Sequence, residues 1–215
     1  SADPQQLAMM TVNPPTALLM LSEFVTLNPG DWVIQNGANS GVGGYLVQLA
    51  RMKGIQTVNV VRRDSARQSV LEEGGDVVLT DGEGLARRVA EATGGAPIRL
   101  GIDCVGGQAT NRLAKCLAEG ATLVNYGVMS GEDCVISPAS FVFRDVTLKG
   151  FWLAHWFAHA ERARQAALFG EIGGLVASGK LKARVQATFG LMQIREAVAA
   201  AAAGGREGKI LVVPQ

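Results

Sequence analysis

The chain has 215 residues, of which 48% are hydrophobic and 18% are charged, and its formal net charge is +1. This length can bury a sizeable core as one domain, or as one domain with an appendage, and the small net charge gives no electrostatic argument for a nucleic-acid or membrane partner. No apolar stretch is long enough to span a membrane, and the N-terminal residues lack the basic and apolar regions of a signal peptide. The scattered cysteines, Cys104, Cys116 and Cys134, predict free thiols in a reducing compartment, either cytoplasm or mitochondrial matrix.

The N-terminal residues predict two short helices. Asp3 followed by Pro4 is typical of an N-cap and a first helical position, so a helix is expected from there to about Met10. A second helix is expected over residues 15–25, and a turn at residues 28–31 then leads into the first strand.

Strands and helices alternate from this turn onward. The predicted strands are residues 32–36, 57–61, 77–79, 98–103, 121–125 and 146–150, and the predicted helices are residues 42–53, 65–73, 85–93, 108–117 and 138–143. The strands are short and apolar throughout, as parallel strands covered on both faces are. The sequence therefore predicts an α/β fold with a doubly wound parallel sheet of the Rossmann type, in the strand order 3-2-1-4-5-6.

The pattern changes after residue 151. A long helix over residues 158–178, a strand over residues 183–189, an alanine-rich helix over residues 192–203 and a last strand over residues 209–213 are expected. This tail does not continue the parallel alternation, so we predict a Rossmann domain at residues 1–180 and a separate C-terminal segment at residues 181–215.

A glycine-rich turn follows the first predicted strand and opens directly into an apolar-periodic helix. It reads Gly37-Ala38-Asn39-Ser40-Gly41-Val42-Gly43. Glycines let the backbone approach phosphates closely, and the N–H groups at a helix start attract negative charge. The context of strand, turn, helix and strand favours a dinucleotide pyrophosphate seat over a turn without a ligand.

The second strand ends in Arg62 and Arg63, near the expected position of the adenosine ribose. An acidic residue there would accept hydrogen bonds from the ribose hydroxyls of NAD, whereas two guanidinium groups suit the 2′-phosphate of NADP. The sequence therefore favours NADP, with solvated loop arginines as the alternative. Asp64 is interpreted as the cap of the helix that starts at Ser65, and not as the ribose acid.

Glycines also follow the fourth and fifth strands, at residues 104–107 and 126–129. Both segments belong at the carboxyl edge of the sheet, where they could let a nicotinamide approach the backbone, or they could be ordinary turn glycines. Asp103 is expected to be a buried polar group at a strand end and not a catalytic base.

Two other chemistries are disfavoured. His155 and His159 share a helix face, but no third ligand lies nearby, so an aromatic patch is a better interpretation than a metal site. Ser40 lacks the preceding glycine of a nucleophile elbow, which argues against a hydrolase.

Taken together, these motifs resemble the cofactor domain of the zinc-independent medium-chain dehydrogenases/reductases, and most closely that of mitochondrial-type trans-2-enoyl-thioester reductases. The resemblance covers nearly the whole chain, through residues 12–17, 35–43, 59–62, 104–107, 126–129, 151–153 and 209–211.

The resemblance implies an NADPH-dependent reduction in which hydride reaches the β-carbon of an enoyl thioester and a proton reaches the α-carbon. The cofactor-binding residues that it implies are Asn13, Asn39, Ser40, Gly41, Val42, Arg62, Arg63, Tyr126, Gly127, Val128, Met129, Phe151, Trp152, Leu153 and Lys209. Two positions depart from the family pattern, since Val128 often corresponds to Gly and Arg63 to Asp.

In the family, a mostly β catalytic domain precedes the dinucleotide fold and supplies a catalytic tyrosine. We find no counterpart of this domain, so no catalytic residue is assigned to this chain, and residues 181–215 are expected to belong to such a domain. We therefore expect weak NADPH binding and no turnover from this chain alone.

Four alternatives stand beside the enoyl-thioester reductase. The nearest is an NADPH:quinone oxidoreductase of the same superfamily, which residues 151–153 disfavour. A zinc alcohol dehydrogenase is disfavoured because this sequence has no Cys or His cluster. A short-chain dehydrogenase is disfavoured because this sequence has no Tyr-x-x-x-Lys pair. From another class, the chain could be a non-catalytic NADPH-sensing or interaction module.

The predicted strand at residues 146–150 forms the edge of the sheet. An unpaired edge favours pairing with a second copy, and the resemblance implies that cofactor domains join there, so a homodimer is expected.

Overall fold

The computed structural model of the protein describes residues 3–206 and 208–214. Six parallel strands form the main sheet: β1 (Trp32–Asn36), β2 (Gln56–Val61), β3 (Val77–Thr80), β4 (Ile98–Asp103), β5 (Thr122–Asn125) and β6 (Thr147–Gly150). Their order is β3-β2-β1-β4-β5-β6. The predicted doubly wound sheet and its strand order are confirmed.

Helices cover both faces of the sheet. They are α1 (Pro4–Leu7), α2 (Asn13–Ser22), α3 (Gly41–Met52), α4 (Arg67–Glu72), α5 (Leu85–Thr93), α6 (Gly107–Cys116), α7 (Pro138–Phe141), α8 (Leu153–His159), α9 (Arg162–Ala177) and α10 (Ile194–Ala202). Within the described ranges, no helix has both the length and the apolar character that crossing a membrane requires.

The core lies in two layers that the strands separate. On one face, Val33 of β1 packs with Leu46 of α3 and Ile172 of α9. On the other face, Ile34 packs with Val89 of α5 and Leu113 of α6. Successive strand residues point to opposite faces, so both layers require apolar residues and the strands lack polar alternation.

The C-terminal tail forms a small unit of its own. Strand β7 (Val185–Gly190), helix α10 and strand β8 (Lys209–Val213) make a strand–helix–strand unit whose two strands are parallel and form a second sheet. The tail leaves the main sheet, as predicted. However, its strands remain parallel to each other, which corrects the expectation that the parallel alternation ends.

Side-chain amides attach this tail to the Rossmann layers. The Gln6 side chain accepts from the N–H of Ala183 and donates to its carbonyl, at 2.8 and 3.1 Å. Gln48 of α3 makes the same pair of bonds with Lys182, at 3.0 and 2.9 Å. The tail is thereby held beside α1 and α3.

Several predicted helices have different bounds from those expected, among them α2 and α9. The helix predicted over residues 158–178 corresponds to α9, whereas most of α8 was not predicted to be helical. Ala160 separates the two helices, because its backbone is extended with ψ of 140°. Helix α2 begins at Asn13 and not at Pro15. Pro14 and Pro15 fit the first turn of α2. The N–H groups that proline lacks would have no hydrogen-bond partner within the helix at these positions.

Candidate functional site

The glycine-rich turn joins the carboxyl end of β1 to the start of α3. Ser40 is the N-cap of α3, and its hydroxyl accepts the N–H of Gly43 at 3.1 Å. The N–H of Ser40 donates to the carbonyl of Gly37 at 2.8 Å, which closes the turn. The predicted strand, turn and helix are therefore present, and the first N–H groups of α3 face the carboxyl edge of the sheet.

Three glycines of this turn lie where a side chain would not fit. Gly37 has φ of +55°, and a Cβ there would overlap the sulfur of Cys104. A Cβ on Gly43 would overlap the carbonyl oxygen of Ala38. A Cβ on Gly41 would lie 2.7 Å from Nδ2 of Asn13 and 2.8 Å from Nζ of Lys209.

Asn13 and Lys209 therefore reach the same turn from opposite ends of the chain. Asn13 opens helix α2, and Lys209 opens the last strand. Their amide and ammonium groups flank Gly41. A ligand group that approaches the backbone of the turn at Gly41 would therefore contact both.

A buried polar network fixes the strand ends beside the turn. The carboxylate of Asp103, at the end of β4, is fully buried. It accepts from Asn36, Thr110 and Asn125 side chains at 2.6, 2.6 and 3.0 Å. It also accepts two backbone N–H groups, those of residues 105 and 106, at 2.9 and 3.2 Å. The expectation that Asp103 is a buried strand-end group is confirmed, since its oxygens are occupied by internal donors.

One cleft lies between the turn and the C-terminal tail, and we call it the tail cleft. Its volume is about 450 Å³, and its basic lining residues are Arg63, Lys182, Arg184, Arg206 and Lys209. Among the described residues that line it, Glu73 is the one acid. The tail cleft is therefore suited to an anion.

The surroundings of the tail cleft shift the pKa values of two of its lining residues, Lys209 and Glu73. Burial, and next the charge of Arg206, lower the pKa of Lys209. Burial raises the pKa of Glu73, although Arg184 at 3.8 Å opposes this change. Both shifts disfavour the charged forms of these side chains.

The second cleft lies across the ends of β2, β3 and β4, and we call it the strand-end cleft. Its volume is about 430 Å³. Its lining combines apolar side chains with the charged residues Arg62, Arg63, Asp81, Arg112 and Glu132. Asn39 and Arg63 line both this cleft and the tail cleft, so the two are adjacent at the turn.

The third cleft, of about 480 Å³, lies at the ends of β5 and β6, and we call it the aromatic cleft. It is lined by Asn125, Tyr126, Gly150, Phe151, Trp152 and His155. The Trp152 side chain is 72% exposed, which leaves an aromatic surface open to a ligand.

The Tyr126 hydroxyl is held neutral. Burial raises its pKa well above the usual value, and the neighbouring Cys104 adds to this rise. Burial also raises the pKa of Cys104 to about 11. Tyr126 can therefore donate a hydrogen bond near neutral pH, but it cannot act as a base there.

Eleven of the fifteen residues predicted to bind a cofactor fall into two groups. Asn13, Asn39, Ser40, Gly41, Arg62, Arg63, Met129 and Lys209 surround the turn and the first two clefts. Tyr126, Phe151 and Trp152 line the aromatic cleft.

Four predicted residues line none of these clefts. Val42 and Leu153 pack against the core, Gly127 lies against the backbone of Cys104, and Val128 is exposed. A further expectation was wrong, because Asp64 makes no capping bond and instead pairs with Arg67 at 3.2 Å.

Several charged residues of the clefts were not predicted from the sequence. Lys182, Arg184 and Arg206 come from the tail, whose path is set by contacts distant in sequence. The glycine pair before Arg206 is the signal that could have indicated a turn. Asp81 and Arg112 were also missed, since 31 residues separate them and no motif links them.

The family profile described as zinc-binding dehydrogenase matches residues 41–169, which is more than half of the chain. The chain belongs to this family. The predicted membership of the medium-chain dehydrogenase/reductase superfamily is thereby confirmed. Within the residues that the structure describes, no group of three or more His, Cys, Asp and Glu side chains could hold a metal ion.

Curated relatives agree with the predicted resemblance. The mitochondrial enoyl-[acyl-carrier-protein] reductase of Arabidopsis thaliana is 42% identical over 180 residues, which cover 81% of this chain and 48% of that protein. The protein of the same name in Caenorhabditis elegans is 40% identical over 182 residues, covering 81% and 51%. The chain thus spans about half the length of the curated relatives it matches.

Solved structures share the fold over almost all of the chain. A complex of Etr1p with NADP and crotonyl-CoA has a TM-score of 0.85 at 28% identity, covering 98% of this chain and 62% of that one. The mitochondrial 2-enoyl thioester reductase Etr1p/Etr2p heterodimer from Candida tropicalis has a TM-score of 0.85 at 27% identity, covering 97% and 61%. A putative NADPH:quinone reductase from Bacillus thuringiensis has a TM-score of 0.88 at 25% identity, covering 97% and 63%.

Proposed function

We propose that this chain is the NADPH-binding part of an oxidoreductase that reduces the 2,3-double bond of trans-2-enoyl thioesters. The observation that carries the proposal is the glycine turn, with Arg63 beside it and Lys209 over Gly41, in a chain whose curated relatives are named enoyl-[acyl-carrier-protein] reductases.

The turn residues fit a dinucleotide pyrophosphate. Gly41 and Val42 present backbone N–H groups at the start of α3. The overlap that a Cβ would cause at Gly43 leaves no room for a larger residue. Asn13 and Lys209 flank this seat as a hydrogen-bond donor and a cation. When bound, NADPH would supply the hydride for the reduction.

The strand-end cleft fits the adenosine half. Its apolar lining, which includes Val61, Ala66 and Val105, suits a base. Arg62 and Arg63 stand at its end beside the turn, where they would bind the 2′-phosphate that distinguishes NADPH from NADH.

The aromatic cleft fits the nicotinamide and the acyl group. Tyr126 and Phe151 lie at adjacent strand ends, and Trp152 offers an exposed apolar face. Of the predicted segments 126–129 and 151–153, we assign Tyr126, Phe151 and Trp152 to this nicotinamide and acyl pocket. The neutral Tyr126 hydroxyl is a donor for a carbonyl or carboxamide oxygen.

Two other functions remain as alternatives. An NADPH:quinone oxidoreductase is the second candidate, because a putative NADPH:quinone reductase has the same fold at 25% identity. A non-catalytic NADPH-sensing domain would bind NADPH at the same glycine turn and would bind no substrate in the aromatic cleft.

We further propose a homodimer through β6. This strand is the edge of the sheet and is exposed along its length. Phe141, Val142 and Phe143, just before it, are exposed large apolar side chains. An unpaired strand beside apolar surface favours pairing with a second copy.

We place the protein in the mitochondrial matrix, because the curated relatives are named mitochondrial, with the cytoplasm as the alternative.

Fluorescence titration of the NADPH-saturated chain tests the substrate assignment. Crotonyl-CoA and menadione are added separately, with Trp152→Phe as the matched variant that removes the reporter in the aromatic cleft. We expect saturable quenching by crotonyl-CoA that Trp152→Phe abolishes. Saturable quenching by menadione alone would favour the quinone reductase, and quenching by neither would favour the non-catalytic domain.

A further inference from the structure

Asp81 and Arg112 form a two-point ion pair at the strand-end cleft. Asp81 follows β3, and Arg112 lies in α6. Nε of Arg112 donates to Oδ1 of Asp81 at 2.6 Å, and Nη2 donates to Oδ2 at 2.6 Å. The N–H of Gly82 also donates to Oδ1 at 2.9 Å. Both carboxylate oxygens are therefore engaged, and the side chains are only 23% and 31% exposed.

This ion pair shares the strand-end cleft with Arg62 and Arg63. The other charged side chain among the described lining residues is that of Glu132. Without Arg112, Asp81 would add a second carboxylate to a cleft that we assign to the adenosine 2′-phosphate. A carboxylate in such a site repels a phosphate and accepts hydrogen bonds from the ribose hydroxyls of NAD.

We propose that Arg112 is a specificity-determining residue, which engages both oxygens of Asp81 and thereby removes a charge that would repel the 2′-phosphate of NADPH. The inference rests on the proposed function of the cleft. Arg62 and Arg63 attract the phosphate, while Arg112 prevents Asp81 from opposing them. Cofactor preference then depends on α6 as well as on the end of β2.

The test is a calorimetric titration of the 215-residue chain and its variants with NADPH and with NADH. Arg112→Met leaves Asp81 uncompensated, so the ratio of the two affinities should shift toward NADH by about fivefold at low salt. Asp81→Asn leaves the arginine uncompensated and should shift the ratio toward NADPH. The double variant should return it to within about twofold of the starting value.

The matched control is Arg99→Met. Arg99 donates to Asp31 at 2.6 Å, and this pair lies at the opposite edge of the sheet, where β1 and β4 begin. Its loss should leave the ratio unchanged. Higher ionic strength should shrink the effect of Arg112→Met, because salt screens the carboxylate from the phosphate.

If the ion pair had only a structural role, its loss would weaken the binding of both cofactors equally. An unchanged ratio in Arg112→Met, with both affinities lowered or neither, would overturn the role of Arg112 and leave the proposed function intact. Absence of any NADPH preference in the unsubstituted chain would overturn the proposed cofactor site, and this inference with it.

Discussion

Asn36 and Asp103 join the ends of two neighbouring strands by a hydrogen bond of 2.6 Å, from Nδ2 of the amide to Oδ1 of the carboxylate. The Oδ1 atom of Asn36 in turn accepts the N–H of Cys104 at 2.8 Å. The amide thus bridges the end of β1, where the glycine turn starts, to the end of β4, where the strand-end cleft starts. The relative position of the two cofactor-facing segments depends on this bridge.

Asp103→Asn should lower the free energy of unfolding by about 3 kcal/mol. The new amide would turn an NH2 group toward buried donors that now bond a carboxylate, and buried donors without acceptors are costly. Urea denaturation measures the effect. The control is Asp64→Asn, an exposed carboxylate with one surface ion pair, which should change stability by less than about 1 kcal/mol. Equal effects of the two substitutions would contradict the role of the network.

Gly43→Ala and Gly174→Ala should have opposite effects on stability, although both glycines are helical. A Cβ at Gly43 would overlap the backbone oxygen of Ala38, whereas nothing lies within 4 Å of a Cβ at Gly174. Gly174→Ala should stabilise by about 0.5 to 1 kcal/mol through helix propensity. Gly43→Ala should destabilise and weaken NADPH binding.

Thermal denaturation of both glycine variants provides the comparison. If Gly43→Ala were as stable as Gly174→Ala and bound NADPH as the unsubstituted chain does, the close approach at the turn would not be required.

NADPH affinity should fall at alkaline pH because of Lys209. Its pKa is lowered from the ordinary value of 10.5, first by burial. A bound phosphate favours the ammonium form, so binding raises this pKa and takes up protons. Affinity is therefore full below the pKa of Lys209 in the free protein and declines as the pH rises through it. Dissociation constants measured from about pH 7 to about pH 10 follow this decline.

Lys209→Met should lower the affinity at neutral pH and remove the alkaline decline. Lys149→Met, on the exposed strand β6, is the control and should preserve both. A decline that persists unchanged in Lys209→Met would assign the titration to another group.

Leu148→Lys should weaken the proposed dimer at least about tenfold, because a lysine on an edge strand opposes pairing with a second copy. Leu148 is exposed on β6. Met192→Lys is the control, since Met192 is also exposed and apolar but lies in the C-terminal unit. Sedimentation velocity measures the association. Dissociation by both substitutions, or by neither, would argue against the edge of the main sheet as the interface.

The glycine turn and the strand order could be predicted because their signals are local. Apolar runs such as residues 32–34, followed by glycines and a helical period, indicate a parallel unit, and right-handed crossovers then limit the order. The division between α8 and α9 could not be predicted, since neither proline nor glycine marks Ala160. The tail cations could not be assigned either, because the Gln6 and Gln48 bonds that place the tail join residues more than a hundred positions apart.

The most direct test of the central claim is a calorimetric titration of the unsubstituted chain with NADPH and, separately, with NADH. The matched variants are Arg62→Ala and Arg67→Ala, since Arg67 pairs with Asp64 while Arg62 lines the strand-end cleft. We predict a clear preference for NADPH that Arg62→Ala removes and Arg67→Ala retains. Equal binding of the two dinucleotides, or binding of neither, would contradict the assignment of this chain as an NADPH-binding domain.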